Sequence, residues 1–134
     1  MRLEWSEQYR LGIPSIDIQH KKWIDLMNKL LALRDVQDKH YEVLDALSEL
    51  SAYTEFHFSY EEKFFNEHGY AESAAHQVKH REFEKKIIKF LSQSATGSPP
   101  MVSNLLGEMR TWLIEHICQE DKKYVDFFKS KSIT

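Results

Sequence analysis

Apolar residues recur at three- and four-residue steps through four stretches of the chain, the period of a helix that buries one face. In the first stretch His20, Trp23, Ile24, Met27, Leu30 and Leu31 fall on one stripe, which predicts a helix over roughly 18–36. Ser15 and Asp17 are both plausible N-caps for it. A polar link at Gln37–Lys39 leads to the second stripe: Leu44, Leu47, Leu50, Thr54, His57, Glu61, Phe64 and Phe65. They predict a helix over roughly 40–66, which Gly69 is suited to end. His76, His80, Phe83, Ile87 and Phe90 predict a third helix over roughly 73–93, with Ser73 as a cap. Residues 94–100, SATGSPP, form the clearest loop, and Ser98 followed by Pro99 suits a helix start. Leu105, Met109, Trp112, Leu113, His116, Ile117, Tyr124 and Phe128 then predict a fourth helix over roughly 99–128.

Residues 1–16, with Trp5, Gly12 and Pro14, keep no sustained period and are expected to form an ordered N-terminal arm. Four helices with short links pack most simply as an all-α, antiparallel up-down-up-down four-helix bundle, one domain over residues 1–134. The scarcity of Gly (4) and Pro (3) argues against many short strands. The net charge of -3 gives no basic footprint for nucleic acid. No apolar run is long enough to span a membrane, and the N-terminus has no apolar core of signal-peptide length. A single cysteine, Cys118, excludes an internal disulfide framework and fits a cytoplasmic location.

The chemistry enters where the stripes stop being apolar. His20 lies on the first helix, His57 and Glu61 on the second, His76 and His80 on the third, His116 and Asp121 on the fourth. Four residues advance a helix by about 400°, so His57/Glu61 and His76/His80 each share one face, one turn apart. Glu62 falls off that face. His116 and Asp121 are five apart, about 140° on a regular helix, so a π-type bulge or a distorted helix end is expected near residues 116–121.

One histidine on an apolar stripe is more often a satisfied core group than a ligand. Five histidines and two carboxylates at matched spacings would need seven separate hydrogen-bonding solutions in one core. They are also too many for one tetrahedral zinc and suit two metals. If each carboxylate gave an oxygen to each metal, and a solvent-derived oxygen joined both, two octahedral ions would keep a single open position. Imidazole suits iron, zinc, copper and nickel, and carboxylate adds hard oxygen donors.

His40 and His68 lie at helix ends, and a surface place is expected for both. Cys118 is expected to be a small packing residue or a surface thiol. Trp23, Phe58, Phe64, Phe83 and Trp112 are expected in the core, and Phe58, Ile114 and Ile117 are candidates to line the open position.

At these motifs the chain closely resembles the hemerythrins of the bacterial single-domain type (bacteriohemerythrins). The matching residues are His20 in IDIQH, H-x-x-x-E at His57–Glu61, H-x-x-x-H at His76–His80 and H-x-x-x-x-D at His116–Asp121. Trp5, Tyr9, Ile13, Asp17, Asn28, Gly69, Tyr70 and the Trp112–Ile117 stretch extend the likeness over nearly the whole chain. Ala71 stands where relatives often carry Pro.

The resemblance implies that His76, His80 and His116 ligate one six-coordinate iron. His20 and His57 would ligate a second, which keeps the open position. Glu61 and Asp121 would bridge the pair together with an oxo or hydroxo group. It implies reversible O2 binding at this non-haem di-iron centre, for oxygen transport, storage or delivery, and no enzymatic activity. The alternatives are oxygen, redox or nitric-oxide sensing, which would need a separate protein partner, and di-iron oxidase or peroxidase activity. Ferritin-like oxygen-activating sites are richer in carboxylate than this one.

Overall fold

The structure is a computed structural model and describes residues 2–34, 36, 39–94 and 99–134. Its main helices are α1 (Pro14–Ala32), α2 (His40–His68), α3 (Ser73–Ser94) and α4 (Pro99–Glu115). A π-helical turn at His116–Glu120, a 3-10 turn at Asp121–Tyr124 and a short helix α5 (Val125–Ser130) continue α4. The described residues contain no strand.

Neighbouring helices run antiparallel, as the cross-helix pairs show. Between α1 and α2, His20 meets His57, Trp23 meets Thr54 and Lys29 meets Glu49. Between α2 and α3, Phe65 faces His76 and Phe58 faces His80. Between α3 and α4, Phe83 stacks on Trp112 and Lys86 reaches Glu108. Each pair rises on one helix as it falls on the next, which gives the up-down-up-down bundle.

Helix boundaries differ from the periodicity in ways the backbone explains. α1 starts at Pro14, earlier than expected, because proline's missing N–H and fixed φ suit the first helical turn. Ser15 and Asp17 therefore sit inside the helix and are not its N-caps; Ile13 holds that position without a side-chain cap. Asp17 instead accepts hydrogen bonds from the backbone N–H groups of Leu11 and Gly12, at 2.8 and 3.0 Å. It thus ties the arm to the helix. At the other end of α1, Leu33 and Arg34 fold into a turn and Val36 is exposed, so the helix stops short of residue 36.

α2 runs to His68 and ends on Gly69 in the left-handed conformation, φ 69°, as its position predicts. Ser73 is the first residue of α3, not its cap: the Glu72 carbonyl receives the His76 N–H, and the Ser73 hydroxyl accepts from the Gln77 amide. Gln37 and Asp38 of the first link, and residues 95–98 of the second, including the expected cap Ser98, lie outside the described residues.

The N-terminal arm is ordered. Leu3, Tyr9, Leu11 and Ile13 are buried, and Asn28 holds the Leu3 backbone with two hydrogen bonds, at 2.7 and 2.8 Å. Two apolar clusters make the core. One gathers Trp23, Met27, Leu30, Leu50, Phe83, Phe90, Met109 and Leu113, the other Leu11, Ile13, Ile16, Phe65, Tyr124 and Phe128. Each fully buried side chain of this size contributes roughly 1.5–3 kcal/mol. Along α1, His20 lies between Ile16 of the second cluster and Trp23 of the first. Along α2, Glu61 lies between Phe65 and Phe58 in the same way. A polar layer thus separates two apolar halves.

Candidate metal centre

That layer holds all seven residues the spacing singles out. His20 comes from α1, His57 and Glu61 from α2, His76 and His80 from α3, His116 from the π turn and Asp121 from the 3-10 turn after it. None is more than 3% exposed. The Asp121 N–H bonds to the His116 carbonyl, an i→i+5 bond that replaces the regular ladder. The wider turn carries both His116 and Asp121 inward, as their five-residue spacing predicts.

The two carboxylates divide their oxygens between two groups of histidines. Glu61 Oε1 faces His80 Nε2 at 3.1 Å and His76 Nε2 at 3.6 Å, while Oε2 faces His57 Nε2 at 3.4 Å and His20 Nε2 at 3.9 Å. Asp121 Oδ1 faces His76 at 3.0 Å and His116 at 3.1 Å, while Oδ2 faces His20 at 3.0 Å. Two overlapping constellations result, their donor atoms within 4.8 Å of one another: His76, His80 and His116 with both carboxylates, and His20 and His57 with the same two.

The donor atoms meet without hydrogen-bonding. The Nε2 atoms of all five histidines, Glu61 Oε1 and both Asp121 oxygens are buried and lack a hydrogen-bond partner. A buried polar group left in that state costs roughly 1–3 kcal/mol. Donors at right angles about a common cation, each about 2.1 Å from it, stand about 3.0 Å apart. Four of the nitrogen–oxygen separations are 3.0–3.1 Å. Buried donor atoms gathered about shared points without hydrogen-bond partners fit metal ions.

A second ring of contacts orients the ligands. His57 Nδ1–H donates to Gln19 Oε1 and His80 Nδ1–H to Glu62 Oε2, both at 2.7 Å, which turns each Nε2 lone pair inward. Arg81 also binds Glu62 Oε2, at 2.7 Å. Tyr124 donates its phenol hydrogen to Glu61 Oε2. Trp112 stacks on His116, centroids 4.3 Å apart, and Phe58 on His80.

Spacing does not find Gln19, Glu62 or Tyr124 as partners. Gln19 and Glu62 each adjoin a ligand in sequence and lie off the inward face, so period alone makes them surface residues. The signal was the polar residue flanking each ligand on the side turned toward the neighbouring helix. Of the aromatics expected in the core, Trp23, Phe58 and Phe83 are fully buried, whereas Phe64 and Trp112 are half-buried. Ile117 is buried and Ile114 half-buried. His40 and His68 are exposed; Cys118 is half-buried, its thiol toward the Gln8 carbonyl at 3.7 Å.

For the metal-free chain, charge is shared within the layer. Burial opposes ionisation of Glu61, but His57, His76 and His80 outweigh it and hold its carboxyl well below the usual range. Burial and the Glu61 charge likewise oppose ionisation of Asp121, and His116 and His20 hold it well below its usual range. Burial disfavours the imidazolium of His76, yet Asp121 and Glu61 raise it to about 10. His80 is also raised, by Glu61 and Glu62 against its burial. Burial lowers His57 and His116. The proton that His76 keeps partly offsets the charge of the two carboxylates.

Residues 11–128 match the hemerythrin HHE cation binding domain. A bacteriohemerythrin of Clostridium acetobutylicum is 33% identical over 126 residues, covering 91% of this chain and 98% of its own length. One of Pseudomonas paraeruginosa is 32% identical, over 92% of this chain and 80% of its own. A crystal structure of a hemerythrin point mutant superposes with a TM-score of 0.82 at 25% identity, covering 94% of this chain and 97% of that one.

Proposed function

The chain belongs to the hemerythrin family, and we propose that its seven converging side chains are the ligands of that family's di-iron centre. It is a di-iron O2-binding protein, and hemerythrins in general bind O2 and are not enzymes. The observation that carries the ligand assignment is the division of oxygens: Glu61 and Asp121 each turn one oxygen to His76, His80 or His116 and the other to His20 or His57. Carboxylates so placed would be able to hold both ions. His76, His80 and His116 would then complete one iron, and His20 and His57 would serve the other with one donor fewer. An iron pair held there would supply the electrons for binding O2 and take them back on its release.

The chain's own part is to bind, orient and exclude water. Gln19 and Glu62 fix the tautomers of His57 and His80. Phe58, Trp23, Trp112 and Ile117 wall the layer with apolar surface, and Phe58, Ile114 and Ile117 are the residues we assign to the pocket of the open position. A dry wall slows escape of charged species from the centre. We read the role as carriage, storage or delivery of O2 without catalysis. No helix among the described residues is long and apolar enough to cross a membrane. A free thiol at Cys118 supports a cytoplasmic place.

The test is iron content. Metal-free chain given Fe(II) under anaerobic conditions should take up two ions per chain. His57→Ala, which strips the poorer constellation of one of its two histidines, should keep one tightly held ion. No iron, or a single ion in the unaltered chain, would overturn the assignment.

A further inference from the structure

We propose that hydrogen bonds outside the ligand set add to the inequality of the two metal positions, so that the position of His76, His80 and His116 fills first, with Glu62 as the positioning residue that widens the gap beyond what the ligand count sets. This rests on the ligand assignment above and goes beyond it.

Three contacts point the same way. His80 gives its Nδ1–H to the Glu62 carboxylate, so negative charge sits behind that imidazole and strengthens its Nε2 as a donor. His57 gives its Nδ1–H to Gln19, a neutral amide, which orients the ring without that charge. Tyr124 hydrogen-bonds Glu61 Oε2, the oxygen that faces His57 and His20, and draws electron density from the donor on that side. Oε1, which faces His80 and His76, is left whole.

Burial makes the contrast effective. The His80 side chain is fully buried and that of Glu62 is 15% exposed, so water screens their interaction little. Arg81 limits the effect. Its guanidinium takes the Glu62 oxygen that His80 uses, at 2.7 Å, and bonds Glu84 at 2.9 Å. Arg81 therefore competes for the charge that would otherwise reach His80.

The test is a stepwise titration of the metal-free chain with Co(II), read by its visible absorption. Two steps are expected. His80→Ala should abolish the tighter and His57→Ala the weaker, which assigns each step to a position. Glu62→Gln keeps a hydrogen-bond acceptor but removes the charge, and should weaken the tighter step roughly tenfold or more with little change in the weaker. Gln19→Glu should strengthen the weaker step and close the gap. Arg81→Gln, at a half-exposed site, should strengthen the tighter step, opposite in sign to Glu62→Gln; a merely structural role would not reverse sign, and this variant keeps the test open should Glu62→Gln misfold. Equal shifts of both steps, or none, in variants with native circular dichroism would overturn the proposal. Failure of the unaltered chain to bind Co(II) would instead overturn the ligand assignment beneath it.

Discussion

Phe58 lies flat against the imidazole of His80, ring centroids 3.8 Å apart and planes 2° from parallel. It is 1% exposed, so it packs the core and walls the metal layer at once. Phe58→Ala should cost roughly 3–5 kcal/mol through lost burial and the cavity left behind. Phe58→Leu should cost less and leave the fold intact, while admitting water. The iron-loaded Leu variant should autoxidise faster in air than the unaltered chain, followed by absorbance. Unchanged rates would remove Phe58 from the protective wall.

Tyr124 anchors Glu61 from the second apolar cluster. Tyr124→Phe keeps the ring and removes the donor, so in the metal-free chain a buried carboxylate oxygen loses its partner at a cost of roughly 1–3 kcal/mol. With iron loaded the same oxygen faces a cation, and the loss should shrink. Urea unfolding of both forms checks this; an equal loss in the two would mean that Tyr124 acts through packing.

Metal uptake should depend on pH with a definite sign. In the folded metal-free chain His76 holds its proton up to about 10, against an ordinary value of 6.5. Its proton therefore stabilises that state fully below about 6.5, and the contribution is lost as pH rises toward about 10. Metal ligation must displace that proton; His80 is raised as well, so its proton also competes with metal more than a free imidazole's would. Iron affinity should rise with pH over the window in which metal-free stability falls. Calorimetry in buffers of different ionisation enthalpy should find protons released on loading at pH 7, at least the one that His76 holds. No release would mean that His76 is already unprotonated before metal arrives.

Gly69 ends α2 at φ 69°, and a Cβ there would meet nothing within 4 Å. Gly69→Ala should thus cost only backbone strain, roughly 1–2 kcal/mol, with iron content unchanged. A larger loss would show that the turn into α3 does more than close the helix.

The bundle was legible because its four stripes are long and regular, and the ligands because polar residues interrupt those stripes at four-residue steps. The five-residue step from His116 to Asp121 was legible as a defect, and the π turn is that defect. Where α1 begins was not. Asp17 has the chemistry of a cap, and whether it caps a helix or gathers the Leu11 and Gly12 amides depends on where Pro14 starts the helix. Glu62 was hidden for a related reason. A position about 100° off the inward face reads as surface until the neighbouring helix, with His80 and Arg81, is laid against it.

The most direct measurement is an optical spectrum of the iron-loaded, reduced chain before air, in air and after oxygen is withdrawn. Reversible O2 binding predicts a colourless reduced form that gains visible charge-transfer bands with O2 and loses them on deoxygenation. Passage straight to an oxidised form that deoxygenation cannot reverse would contradict reversible binding.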